Sequence, residues 1–474
     1  MNWTLALPEI VLALSGLAIL LAGVMQKRGQ AFFSCAMMTL LAFVVTGVLV
    51  VLSPDGTAYS HVFINDGFAR FMKVLSLTGA ALSLVLSVGY AREMEIDKFE
   101  FPVLILFSTL GAMIMASSGN LMTLFVGLEL SSLSIYILCA FARDRVGAAE
   151  AGLKYFVLGS LASGILLYGI SLAYGFAGTL EYAGLQQAVR GSAVLPAGLM
   201  VGIVFVLVGL CFKLSMVPFH MWTPDVYQGA PTSVTAYMAG APKIAAFAVL
   251  LRVMAGPFGS MTPQWQLLIE VVSALSMVFG SLAAIPQGNI KRLMAYSSIG
   301  HMGYAMIGMA AGTAEGTRGT LVYLVTYLFM NVGAFAGIVA MRRNGRAVTR
   351  ISDLAGLGRT DPGMALAMAI FMFSMAGAPP LAGFFGKLMV FYAAINAHLY
   401  ALAAIGIVSS VIGAYYYIRI VKVMFFDTAV PALDRSPVSV SFVSVGMGLV
   451  TVFFVVGLGP VATAAQAAAS ALFR

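Results

Sequence analysis

Three lysines interrupt stretches that otherwise look like membrane-spanning helix. They are Lys213 in CFKLSMVPFH, Lys243 in AGAPKIAAF and Lys387 in GAPPLAGFFGKLMV. Each lies close to a proline: Pro218, Pro242, or the pair Pro379 and Pro380. A lysine at the centre of a membrane helix costs about 2.5–3.5 kcal/mol on insertion scales. Proline removes a backbone donor and frees a carbonyl one turn earlier, which is tolerable at membrane depth only inside protein or beside water. Lysines repeatedly placed beside such breaks point to an ion or proton path. Glu129 adds a lone carboxylate to NLMTLFVGLELSSLSIYILCAF, with no other charge from Asn120 to Phe141. Lys213 is its natural partner, and the pair is expected to act as a switch. The lysine would gain or lose a proton as the carboxylate approaches or withdraws, and Lys243 and Lys387 would pass the proton onward through water and His301.

Other charged residues at depth leave alternatives open. Lys154, in AGLKYFVLGS, either joins the network or snorkels to the interface. His301, in SSIGHMGYAMIG, lies between Lys243 and Lys387 in the sequence and is either a relay or a hydrogen-bonded structural group. His220 and Asp225 flank the proline region at a loop, where pinning is the simpler role, and His220 is retained as an accessory relay candidate. Glu9, Lys73 and Glu270 stand nearer helix ends and are expected at the interface.

The elements that must position these groups follow from composition. Of 474 residues, 61% are hydrophobic and 9% charged, against roughly 25% charged in a soluble domain. Apolar runs of about 20 residues span a bilayer, and fourteen candidates begin near residues 4, 32, 69, 101, 120, 147, 197, 232, 266, 293, 318, 363, 399 and 439. The expected fold is an all-α polytopic membrane protein. Residues 1–98 hold spans one to three, 99–255 a first five-helix repeat, 256–425 a second, and 426–474 the last span. Each repeat contains a proline-broken helix with a lysine. An odd number of spans per copy makes the repeats inverted, the arrangement that marks the transport path in secondary transporters. SPDGTAYSHVFINDGFARF, between spans two and three, suggests an extended segment or small hairpin.

Charge placement orients the chain. Lys27, Arg28, Arg92, Lys98, Arg143, Arg145, Lys291, Arg292, Arg342, Arg343, Arg346, Arg350, Arg359, Lys422 and Arg435 fall in loops after odd-numbered spans. Only Arg70, Arg190, Arg252, Arg318 and Arg474 fall on the other side. The positive-inside rule then puts both termini outside, in the periplasm. The amino terminus lacks a basic n-region and a cleavage site, so it is expected to remain as the first span. The net charge of +8 comes from residues dispersed over loops, which argues against a nucleic-acid partner.

Cofactor chemistry is poorly supplied. Cys35, Cys139 and Cys211 lie far apart without a CxxC spacing, and His61, His220, His301 and His398 never form a close pair. No dinucleotide fingerprint or Walker A loop occurs. No cofactor or metal is expected in this chain.

The segments LELSSLSIYIL, FKLSMVPFHMWTPDVYQGAPTSVTAYMAGAPK, IPQGNIKRLMAYSSIGHMGY and GAPPLAGFFGKLMVFYAA resemble the antiporter-like membrane subunits of respiratory complex I, the proton-pumping NADH:quinone oxidoreductase. The resemblance covers most of residues 100–400 and is strongest to the N-type branch. Lys387 stands where a sister branch has glutamate, and the long lateral helix of subunit L is missing. The resemblance implies that Glu129, Lys213, Lys243 and Lys387 occupy the proton-path positions, with Lys154 and His301 as accessories. It also implies flavin, iron–sulfur clusters and quinone in partner subunits. Expected partners are a neighbouring antiporter-like subunit, small membrane subunits, the lateral helix of subunit L, and lipids in a bacterial inner membrane. Two rivals remain, a subunit of a multisubunit sodium/proton antiporter and a structural membrane-arm scaffold. Sodium needs an oxygen cage, whereas the sequence offers no acidic cluster at depth. A scaffold would not retain several unpaired lysines.

Overall fold

The computed structural model describes residues 3–27, 30–94, 96–191 and 196–473; Arg28 and Arg474, used in the sequence reading, lie outside them. Helices α1 (Leu7–Met25) and α2 (Ala31–Leu52) are apolar on nearly every side. They expose Leu14, Leu21, Leu41 and Val51, as a lipid-facing surface would. The segment after α2 is the expected hairpin, with β1 (Gly56–Ala58) antiparallel to β2 (Phe63–Asn65). Backbone bonds from Ile64 N–H to Ser117 O and from Gly119 N–H to Val62 O tie it to the next connection. Asp66 then caps α3 (Gly67–Glu93), accepting from Ala69 N–H at 2.7 Å.

The first half continues with α4 (Glu100–Ala116), α5 (Leu121–Cys139) and α6 (Val146–Ala177). The short α7 (Tyr182–Gly191) follows, then α8 (Ala197–Lys213), which ends on its lysine. Beyond the break lie α9 (Thr223–Gly229), α10 (Thr232–Ala239) and α11 (Ala241–Ala255). The chain continues with α12 (Thr262–Ala284), α13 (Ile290–Ala310) and α14 (Ala314–Ala340). A small hairpin, β3 (Arg342–Arg343) with β4 (Arg346–Ala347), and the single-turn α15 (Leu357–Thr360) lead to the broken pair α16 (Pro362–Ala376) and α17 (Ala382–Asn396). The chain closes with α18 (Tyr400–Phe426) and α19 (Val438–Leu472).

Ten helical stretches among the described residues are long and apolar enough to cross a membrane. The predicted spans starting near 197, 232 and 363 are each divided into two helices. The core runs through the middle, where nearly every residue of α10, α11, α13 and α14 is buried. Close backbone approach builds it: a Cβ on Gly169 of α6 would lie 2.7 Å from Gly202 O of α8.

Four charged residues are more buried in the protein than the sequence suggested. Lys73 and Glu9, both near helix ends as expected, form a buried ion pair at 2.6 Å, with exposures of 0% and 8%. The hairpin covers them, since Lys73 also donates to Asn65 Oδ1 at the end of β2 at 3.3 Å. Arg252 is not a loop residue but lies in the last turn of α11, bound through two nitrogens to Asp66 at 2.8 Å. Lys291 belongs to the first turn of α13 and is only 3% exposed.

Candidate functional site

The breaks expected around the prolines are present, and each brings a lysine against a helix end. α16 stops because Gly377 takes φ +94°, a left-handed conformation that ends helices, and Pro379 and Pro380 follow before α17 starts. The last carbonyls of α16 therefore lack intrahelical partners. Lys387 of α17 fills that gap, donating to Met375 O at 3.1 Å, Ala376 O at 2.9 Å and Ser410 Oγ of α18 at 2.8 Å. Its ammonium also lies 4.9 Å from the Tyr304 ring centre. Lys213 is the last residue of α8, so it too sits at the negative end of a helix dipole. Lys243 differs, standing in the first turn of α11 after Gly240, at the positive end. It is 1% exposed and donates to Ser298 Oγ at 2.8 Å.

α13 links the second and third lysines. Ser298, His301 and Tyr304 follow at intervals of three and share a face of the helix. Ser298 Oγ pairs with Tyr327 OH at 2.7 Å. His301 Nδ1 meets Tyr323 OH at 2.6 Å, and Nε2 meets Tyr417 OH at 3.0 Å. Tyr417 OH in turn contacts Ser297 Oγ at 2.5 Å. His301 thus has both ring nitrogens engaged by hydroxyls, with Lys243 on one side through Ser298 and Lys387 on the other beside Tyr304. Each of these hydroxyls can both donate and accept a hydrogen bond, the property a proton relay needs.

The first pair is arranged less directly than the sequence suggested. Among the described residues no ion pair within 4.0 Å joins Glu129 to Lys213. Lys213 donates instead to Ser132 Oγ at 2.7 Å and Tyr136 OH at 2.9 Å. These residues stand three and seven places after Glu129 on one face of α5. Glu129 accepts from Ser163 of α6. Between Lys213 and Lys243 lies an aromatic bridge. Lys213 is 5.8 Å from the Tyr155 ring centre, Tyr155 stacks on Trp222 at 4.1 Å, and Tyr227 faces Lys243 at 5.6 Å.

The accessory candidates separate. Lys154 is a surface residue paired with Glu150 at 2.7 Å and Asp225 at 2.9 Å, so it stands outside the buried line. Asp225 also holds Arg292 of α13 at 2.5 Å and so ties the two halves together. Burial works against ionisation of Asp225, but hydrogen bonds from Lys154 and Arg292 outweigh it and hold the carboxyl below its ordinary value. His220 packs edge-on against Phe279 at 4.6 Å, and no hydrogen bond joins it to a lysine among the described residues. Sequence reasoning missed Ser132, Tyr136, Ser163, Ser298, Tyr323, Tyr327, Ser410 and Tyr417. The spacing of Glu129, Ser132 and Tyr136, and of Ser298, His301 and Tyr304, was the available signal.

Lysines at helix breaks, each hydrogen-bonded to hydroxyls or carbonyls, with a histidine bound to two tyrosines among them, lie inside a bundle of apolar helices, as in polytopic membrane proteins of the ion-translocating class. Residues 118–413 match the family described as NADH:quinone oxidoreductase/Mrp antiporter, TM. The chain is 76% identical to the NADH-quinone oxidoreductase subunit N of Gluconacetobacter diazotrophicus over 100% of both chains. It is 54% identical to that of Rhodospirillum rubrum, over 98% of this chain and 97% of that one. A chain of respiratory complex I from Thermus thermophilus with bound aureothin superposes with a TM-score of 0.83 at 33% identity, covering 97% of this chain and 99% of that one. A chain of the Mrp complex from Dietzia sp. shares the fold, with a TM-score of 0.86 at 23% identity over 100% and 98% of the two chains. The chain belongs to the NADH:quinone oxidoreductase/Mrp antiporter family of membrane subunits.

Proposed function

We propose that this chain is a proton-translocating membrane subunit of an NADH:quinone oxidoreductase, driven by quinone reduction in other subunits. The observation that carries this reading is the line Lys213, Lys243, His301 and Lys387. Among the described residues its lysines sit at helix breaks without a carboxylate partner and are hydrogen-bonded only to hydroxyls and carbonyls. A lysine held that way can release its proton without breaking an ion pair. Glu129 sets the charge felt by Lys213 through the Ser132 and Tyr136 face. His301 with its tyrosines relays between Lys243 and Lys387.

The remaining parts of the reading follow from it. Electron carriers (flavin, iron–sulfur clusters and quinone) belong to partner subunits. The neighbours are another antiporter-like subunit, small membrane subunits and the lateral helix of subunit L. The chain lies in a bacterial inner membrane with both termini periplasmic, supported by arginines 343, 346 and 350 on the face that also presents Asp225 and Arg292.

The test is Lys243→Met in the whole complex, reconstituted in vesicles. Assembly with normal electron transfer to an artificial acceptor, but reduced proton uptake per NADH, supports the reading. Normal proton uptake per NADH refutes it.

A further inference from the structure

Lys291 is, like Lys73, a buried lysine that the path above does not use, but Lys73 is paired with Glu9. Lys291 is 3% exposed and has no ion-pair partner among the described residues. Its surroundings repeat those of Lys387. Lys291 Nζ donates to Gln228 O at 3.1 Å and Ala230 O at 2.5 Å, carbonyls at the carboxyl end of α9 just before Pro231. Lys387 does the same at the end of α16 before Pro379. In both places a break leaves carbonyls without helix partners, and a buried ammonium takes them up. Asn289 fixes the position, since its Oδ1 accepts from Lys291 N–H at 3.0 Å and Arg292 N–H at 3.2 Å.

Two further features separate Lys291 from a plain structural pin. It lines a cavity of about 130 Å³ together with Tyr90, Arg145, Gln228, Thr232 and Thr349. Such a space has room for several waters beside polar partners. The cavity lies on the face of the arginine-rich loops, where Arg145 and Thr349 stand. From Lys291 the same helix leads inward: Ser298, which holds Lys243, follows seven residues later on the same face, about 10 Å along the axis. α9 makes a second link, because its carboxyl end binds Lys291 while its Tyr227 faces Lys243 at 5.6 Å.

We propose that Lys291 is the loading group of the path, taking protons from water in this cavity and delivering them along α13 to Lys243. Hydronium in the cavity gives its proton to the neutral amine and leaves as water. The resulting ammonium gives that proton, through intervening water, to the neutral amine of Lys243 beside Ser298. This inference rests on the proton-translocating reading above.

The test compares Lys291→Arg and Lys291→Met in the reconstituted complex. Arginine keeps the charge and can hold the same carbonyls, but it does not release a proton. A structural pin would be served by arginine; a loading group would not. The expected result is an assembled Lys291→Arg complex whose coupled proton uptake falls by on the order of tenfold, with Lys291→Met falling alike. Normal uptake in either variant, or failure of Lys291→Arg to assemble, overturns the proposal. Lys243→Met in the same assay separates the two levels. If it too pumps normally, the path itself is wrong; if it alone fails, only the role of Lys291 is wrong.

Discussion

Lys213 Nζ lies 2.7 Å from Ser132 Oγ, one turn along the helix that carries Glu129. A hydroxyl rather than the carboxylate is the immediate partner of the lysine. Glu129 therefore acts on Lys213 through space, or after a rearrangement that brings the two side chains together. Glu129→Ala is expected to leave the complex assembled and lower both proton pumping and coupled quinone reduction. Ser132→Ala is expected to give a smaller loss, because Tyr136 OH still holds Lys213 at 2.9 Å. Equal, wild-type turnover and pumping in Glu129→Ala would remove the pair from translocation.

The histidine relay makes a separate prediction. His301 spends both nitrogens on Tyr323 and Tyr417. Tyr417→Phe keeps the ring packing and removes one hydroxyl. Coupled proton pumping is expected to fall, with assembly unchanged. Unaltered pumping in both Tyr417→Phe and Tyr323→Phe would make His301 a structural group.

Asp66 and Arg252 give a stability prediction with a pH signature. Burial works against ionisation of Asp66, but Arg252 outweighs it, and the carboxyl is held below its ordinary value. A carboxyl lowered on folding contributes stability that is fully present above its unfolded pKa, near pH 4, and lost as pH falls through the folded value. Asp66→Asn keeps a helix-capping side chain and deletes only the charge. It is expected to destabilise the chain near neutral pH by about 3 kcal/mol, the lower end for breaking a largely buried pair. The difference in thermal midpoint from the unaltered chain is expected to narrow as pH falls below about 4 and to close only below the folded-state pKa of Asp66. A difference that does not change with pH contradicts this account.

Topology is open to a direct check. The native cysteines Cys35, Cys139 and Cys211 are all buried, so they give little background to an impermeant thiol reagent. Arg346 is exposed on β4. Arg346→Cys is expected to be labelled in inside-out vesicles and protected in intact cells. Labelling from outside intact cells would invert the orientation.

The parts of the path that the sequence exposed are those that are costly in an apolar helix. Lys213, Lys243, Lys387, Glu129 and the prolines beside them stand out because nothing else in such a run is charged or lacks a donor. Their partners did not stand out. Serine and tyrosine are ordinary in membrane helices, and Tyr327 and Tyr417 reach Ser298 and His301 only through packing of α14 and α18 on α13. Lys291 looked like a loop residue because apolar character falls across NIKR, yet α9 and α10 close over it. The pairing of Lys73 with Glu9 was hidden for a related reason. They lie near helix ends, and their burial depends on a hairpin whose cover no periodicity reveals.

The most direct measurement is the number of protons pumped per NADH by a reconstituted complex bearing Lys387→Met. Methionine keeps the volume, and replacing a buried charge by an apolar side chain is neutral or favourable for folding. The carbonyls of Met375 and Ala376 then lose the donor they have in the native chain, although Ser410 Oγ remains within 3.5 Å of Ala376 O. The account predicts an assembled complex with strongly reduced protons per NADH, and partial recovery with Lys387→Glu, since a carboxylic acid can also carry a proton. Wild-type stoichiometry in Lys387→Met would contradict the account and take the second broken helix out of the path.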